Sequence, residues 1–128
     1  MSVNAAIRGS ITITDNLTGS TSLSKPINNS YTGDLSVYGQ SVVVGTTAYI
    51  VSLPNNLAEF VYIKNLSATT GTTVTVTWTP NTGTTVNVIT LDPGAMIQFS
   101  EGTTNNGISA LSLVSNLPGT FVEFILCG

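Results

Sequence analysis

The sequence predicts an all-β fold: an antiparallel, jelly-roll-like β-sandwich of eight to ten short strands with little or no helix. Three observations carry that expectation. Thr, Val and Ile supply 21, 13 and 10 of the 128 residues, and branching at Cβ favours a pleated strand over a helix. Apolar residues recur with a period of two, and no window sustains the i, i+3, i+4, i+7 spacing of an amphipathic helix. Turn signals fall every 8 to 14 residues, the rhythm of a sandwich and not of βαβ units.

Taken in order, Ile7, Gly9, Ile11 and Ile13 alternate with polar neighbours and mark the first strand. Leu35 and Val37 mark a second, and Ala48, Ile50 and Ser52 against Tyr49, Val51 and Leu53 a third. Phe60 to Lys64 is a more continuous apolar run, as expected of a strand covered on both faces. Val74, Val76 and Trp78 alternate strictly with Thr73, Thr75, Thr77 and Thr79, so Trp78 shares a face with two valines and reads as core. Further strands are expected at Thr84 to Leu91, Ala95-Ile97-Phe99, Ile108 to Leu113 and Thr120 to Leu126. Pro80-Asn81-Thr82-Gly83 reads as a hairpin loop, with φ fixed at the proline and positive at the glycine. Asp92-Pro93-Gly94 is a second strong turn, and Thr69 to Thr72 and Gly102 to Gly107 are looser loops. No composition break or fixed-period repeat divides the chain, so residues 1–128 read as one domain.

Only nine side chains are charged: Arg8, Lys25, Lys64, Asp15, Asp34, Asp92, Glu59, Glu101 and Glu123. That is 7% of the chain, against about 25% in an ordinary soluble domain. Histidine is absent and the one cysteine, Cys127, is the penultimate residue. The chain therefore has no Ser-His-Asp or Cys-His nucleophile, no imidazole metal ligand, no intrachain disulfide and no thiolate zinc cluster. Three scattered cations and a net charge of -3 cannot neutralise a row of phosphates, so no nucleic acid partner is expected. No apolar run approaches the roughly 20 residues of a membrane helix, and Met1 to Ser10 lacks the features of a secretory signal. The expectation is a chain made in a cytoplasm and bound to no membrane, with chance sequons at Asn16, Asn28 and Asn65.

The six carboxylates are the only general acids or bases, and no two stand at i, i+2 on one strand. Paired carboxylates are what glycoside hydrolysis requires, and clustered acids are what calcium requires. The sequence shows neither, so these residues read as surface and turn groups; no cofactor, metal or catalytic residue is expected. Aromatics allow a weaker alternative. Tyr31, after the polar Lys25-Pro26-Ile27-Asn28-Asn29-Ser30 stretch read as a loop, and Tyr38 are candidate glycan or partner contacts. The positive signal is the uncharged polar surface itself, because interface centres are depleted of Lys, Glu and Asp. Ile7, Ile11 and Ile13 of the first strand, with Phe121 and Phe124 of the last, are candidate edge or interface residues. Thr120 to Leu126 carries only Glu123 as a charge, and bare edges invite unwanted pairing, so this strand is expected to be central or capped by a partner.

Two segments carry a resemblance. Phe60-Val61-Tyr62-Ile63-Lys64-Asn65-Leu66 is followed about 25 residues later by Ile89-Thr90-Leu91-Asp92-Pro93-Gly94-Ala95-Met96-Ile97-Gln98-Phe99. This pair is similar to small proteins encoded in the structural modules of tailed bacteriophages, and Gly39-Gln40-Ser41-Val42-Val43-Val44-Gly45-Thr46 resembles their preceding segment. The likeness spans residues 30 to 100 and is a pattern of strands and turns; Ala95 stands where many of those proteins have Glu. It implies a non-enzymatic β-sandwich virion protein present in many copies: a capsid decoration or cement protein that bridges capsid subunits. A fibre, tail or neck component, or a carbohydrate- or receptor-binding module, is the alternative. The implied partners are the major capsid protein or other virion proteins, with a trimer or dimer of the chain itself and a location in the virion.

Overall fold

The alternation of Val with Thr is realised as ten strands and, among the described residues, no helix. The computed structural model describes residues 3–14, 21–33, 37–53, 57–101 and 107–127, with side chains from residue 40 onward. Strands β1 (Val3–Thr14) and β2 (Thr21–Gly33) pair antiparallel as a two-stranded ribbon. Eight strands follow: β3 (Val37–Val44), β4 (Tyr49–Ile50), β5 (Phe60–Asn65), β6 (Val74–Pro80), β7 (Asn87–Leu91), β8 (Met96–Phe99), β9 (Ile108–Ser115) and β10 (Thr120–Cys127). They build two antiparallel four-stranded sheets, ordered β3-β10-β5-β8 and β4-β9-β6-β7. After β3 every connection crosses from one sheet to the other except the β6–β7 hairpin.

The core lies between the sheets. Val44, Ile63, Val122 and Phe124 of the first sheet meet Val74, Val76, Leu113 and Leu111 of the second, all essentially without solvent contact. Burying each such side chain contributes about 1.5–3 kcal/mol. Strand β10 is interior, paired to β3 on one side and β5 on the other, which accounts for its lack of guarding charge. Strand β5 is covered less completely than its apolar run suggests: Phe60, Val61 and Ile63 are buried, but Tyr62 and Lys64 are half-exposed on the outer face.

The strand expected over Thr84 to Leu91 begins only at Asn87, and local structure departs from the sequence reading in three further places. Lys25 to Ser30 is not a loop but part of β2; its Ser and Asn residues are poor strand formers alone, and the ladder to β1 overrides that preference. The expected third strand shrinks to Tyr49–Ile50, although the Val51 N–H still donates to the Leu111 carbonyl at 3.0 Å. Gly83 closes a turn on the Pro80 carbonyl at 3.3 Å without a positive φ. The connection runs from Asn81 to Val86, long enough to reverse the chain without the left-handed residues of a two-residue turn. The position that demands glycine is Gly107 instead: its φ is 84°, and a Cβ there would lie 2.5 Å from the Ala58 carbonyl oxygen.

One end of the sandwich is tied together by a single side chain. Asn65, fully buried, donates from Nδ2 to the carbonyls of Thr72 (2.9 Å) and Leu91 (3.1 Å) and accepts from the Ser67 N–H (3.0 Å). Its backbone N–H donates to the Ala95 carbonyl, and its own carbonyl accepts from the Gly94 N–H. The Asp92-Pro93-Gly94 turn, with Ala95 N–H on the Asp92 carbonyl at 2.9 Å and φ of 76° at Gly94, has the type II signature. Asn116 extends the knot to the next loop, donating to the Gly71 carbonyl at 2.7 Å and accepting from the Thr73 N–H at 2.9 Å. The sequon at Asn65 is thereby explained: its amide is committed to the fold and closed to glycosylation.

Two outcomes test this account. Phe124→Ala empties the centre of the core and should cost about 3–5 kcal/mol, whereas Phe121→Ala, three residues earlier on the exposed face, should stay within about 0.5 kcal/mol; urea denaturation reads both. Asn65→Ala strands two buried carbonyls and should cost about 2–4 kcal/mol, seen as a lower Tm with the native near-ultraviolet spectrum retained below it.

Candidate functional site

Reactive groups are dispersed over the described residues, so the candidate site is a surface. On the first sheet, strict alternation sends Val122, Phe124 and Leu126 of β10 inward and Phe121, Glu123 and Ile125 outward. Strand β3 likewise turns Val42 and Val44 in and Val43 out. The register places Phe121 beside Val43, and Glu123 between Ser41 and Lys64. Phe121, Val43 and Met96 are 57%, 55% and 53% exposed; Phe121 and Val43 stand side by side, while Met96 lies opposite Lys64 in the row that holds Glu123 and Ser41. Next to Glu123, the Tyr62 phenol donates a hydrogen bond to that carboxylate. Its pKa is raised above the ordinary tyrosine value, first by burial, then by this hydrogen bond and the negative charge of Glu123.

The outer face of the second sheet is different in kind. Strands β4, β9, β6 and β7 contain no charged residue at all. Thr75, Thr77 and Thr79 run down β6, flanked in register by Thr90 and Val88 of β7 and by Val114, Ser112 and Ala110 of β9. Ile50 of β4 is 73% exposed. A shallow groove of about 400 Å³ crosses this face, lined by Ile50, Leu53, Thr77, Thr79, Val86 and Ala110 among others. Among the described residues strand β7 pairs with β6 alone, and β7 itself carries neither charge nor proline at its other edge. Sequence reasoning missed this edge. The signal available was the uncharged Val86-Asn87-Val88-Ile89 run, whose Ile89 is opposite the buried Val76 yet stays exposed.

The residues singled out from sequence are scattered. Ile7, Ile11 and Ile13 lie on β1 and Tyr31 on β2, in the ribbon, while Tyr38 lies on β3; their side chains fall outside the described residues. Phe121 and Phe124 are not edge residues, because β10 is paired on both sides; Phe124 is core and Phe121 points outward. Trp78 is half-buried, its ring 4.5 Å from that of Phe99 and its Nε1 donating to Glu101 Oε1 at 2.6 Å. One indole face and its only polar atom are thus occupied. Leu35, Asp15, Asp34 and the Asn16 sequon lie outside the described residues.

The four described carboxylates stand on separate elements: Glu59 before β5, Asp92 in the β7–β8 turn, Glu101 after β8 and Glu123 on β10. Among the described residues no group of three or more His, Cys, Asp or Glu could hold a metal ion. No described helix is long and apolar enough to cross a membrane. Cys127 is buried and outside any disulfide. What the arrangement offers chemically is broad apolar and hydroxyl-bearing surface. Comparison with known proteins finds no matching family model, curated protein or solved structure.

The Tyr62–Glu123 pair generates a pH test. A phenol whose folded pKa is raised contributes stability that is fully present below the unfolded tyrosine value and lost as pH rises through the folded one. Tyrosinate titration of the chain against Tyr62→Phe should show Tyr62 ionising above the ordinary value. Glu123→Gln should move it downward while leaving it raised, because burial is the larger cause.

Proposed function

We propose that this chain is a non-enzymatic structural subunit of a tailed-phage virion, acting as a capsid decoration or cement protein in many copies. The observation that carries the reading is the pair of outer sheet faces: one with no charged residue in its four strands, the other with Phe121, Val43 and Met96 each more than half exposed. A surface of this kind is costly for a solitary protein and suited to one that works against neighbours. The strand order lends support. Counting from β3, the orders 1-8-3-6 and 2-7-4-5 are those we read as a jelly roll, an architecture shared by capsid and lectin domains.

The two segments behind the phage resemblance also form one unit. Strand β5 pairs with β8, and Asn65 at the end of β5 holds the Leu91–Ala95 turn that leads into β8. Their joint occurrence thus has a folding reason, and the virion role rests on the surfaces. In the cement reading, each copy bridges neighbouring capsid subunits, and many weak contacts together resist the pressure of packed DNA by avidity. The expected result is that purified particles from a host carrying the gene contain the chain in capsid-scale copy number. Particles made without it should release DNA at lower temperature. Absence of the chain from such particles sinks the reading; density on the tail and none on the capsid moves it to the fibre or neck.

A further inference from the structure

Strand β7 is an open edge of the kind that folded proteins usually guard. Among the described residues it pairs with β6 alone, so one row of its N–H and C=O groups faces away from the sheet. From Asn65 to Leu91 the chain carries no charge, and β7 holds no proline. Other edges are blunter: β4 has two residues, and β8 has four between the Pro93-Gly94 turn and Glu101. The side chains of β7 are also incompletely covered. Val88, opposite Thr77 on the outer face, is 60% exposed. Ile89 shares its side of the strand with Leu91, which packs in the core, yet Ile89 is 37% exposed. The core thus ends at β7 with an apolar side chain left open at its lateral border.

We infer that the free edge of β7 pairs antiparallel with the same edge of a second copy, about a two-fold axis at Ile89, joining two four-stranded sheets into one. Self-complementarity selects a second copy over a different partner. In a two-fold strand pair a charge near the axis meets its own like, which is destabilising; β7 has none to meet. A different partner is ordinarily steered and selected by complementary charge, and this edge offers no such handle. With Ile89 on the axis, each copy covers the side chain the other leaves open, and Val88 stands against Thr90. Asn87 falls beside Leu91, which is already enclosed by its own core. Asp92, the first charge beyond the strand, falls opposite Val86 and about 20 Å from its counterpart, further than charges act through physiological salt. Residues 86–92 span about 24 Å on an edge about 10 Å deep, so the pair covers about 500 Å² in all. A stable interface needs about 1,000 Å², so this contact is weak and concentration-dependent. The inference goes beyond the virion reading and does not depend on attachment to a capsid.

The test uses the full chain at up to about 1 mM, where weak pairs form. Sedimentation should show a monomer–dimer equilibrium, and hydrogen exchange should show β7 amides gaining protection as concentration rises. Ile89→Lys and Ile89→Glu should each weaken dimerisation more than about tenfold, with the strand signal in circular dichroism kept. Mixed one to one, these two variants should recover it, because opposite charges then meet on the axis. Val88→Lys, at an exposed outward position, should weaken dimerisation too, and it decides the matter if the Ile89 variants do not fold. Val43→Lys, on the outer face of the other sheet, should leave dimerisation intact. A chain that stays single at this concentration, dimers indifferent to both Ile89→Lys and Val88→Lys, a folded mixture that does not recover, or dimers lost with Val43→Lys alone overturns the inference. So does protection of β7 that appears only when phage particles meet a monomeric chain, which gives the edge to another protein. Dimers that never attach to particles leave the inference standing and sink the virion role.

Discussion

The sandwich depends on the buried amide of Asn65. Two facing sheets with few charges could slide over one another, because Val and Leu contacts are non-directional and tolerate many registers. The Asn65 side chain removes that freedom. It stands at the end of β5 in one sheet and holds the carbonyls of Leu91, at the end of β7, and Thr72, just before β6, in the other. Such bonds have direction as well as strength, and leaving any of them unmade in a dry site is costly. The buried Ser115–Thr120 hydroxyl pair at 2.6 Å pins the β9–β10 connection in a similar way.

Much of the architecture was legible because it rests on period. Val74-Thr75-Val76-Thr77 reads as one inward and one outward face from sequence alone, and burial follows it. The lack of charge on β10 pointed to a central or a capped strand, and pairing with β3 and β5 makes it central. What could not be read involves partners distant along the chain. Asn65 looked like a sequon; its partners sit 7 and 26 residues away, and no local pattern announces them. Lys25 to Ser30 looked like a loop because Ser and Asn favour turns, and only the ladder to β1 makes it a strand. The surface was half legible. Scarcity of charge was plain, but its concentration outside one whole sheet emerges only when strand order is known.

That partition gives the charge scarcity a shape. Lys64 and Glu123 stand on neighbouring strands of one sheet, Glu59, Asp92 and Glu101 on the connections, and none on the other sheet. Strand sequences such as VTVTWTP and NVITL expose hydroxyls and methyls in equal measure. Such a face can meet a neighbour without stripping water from ions, the step that makes charged interfaces expensive. It also forgoes the repulsion that keeps monomers apart, so its solubility rests on the hydroxyls.

The interior position of β10 also sets an order of events in biosynthesis. Strands β3 and β5 do not pair with each other; β10 fills the slot between them, with Val44 opposite Thr120 and Asn65 opposite Val122. Until residues 120–127 leave the ribosome, the nascent chain therefore holds two unmatched strand borders facing an empty lane. Closing that lane joins segments far apart in sequence, a step that is slow by its topology. The sheet stays open at its centre until β10 arrives, and the interval before closure is when this protein is most exposed to mispairing.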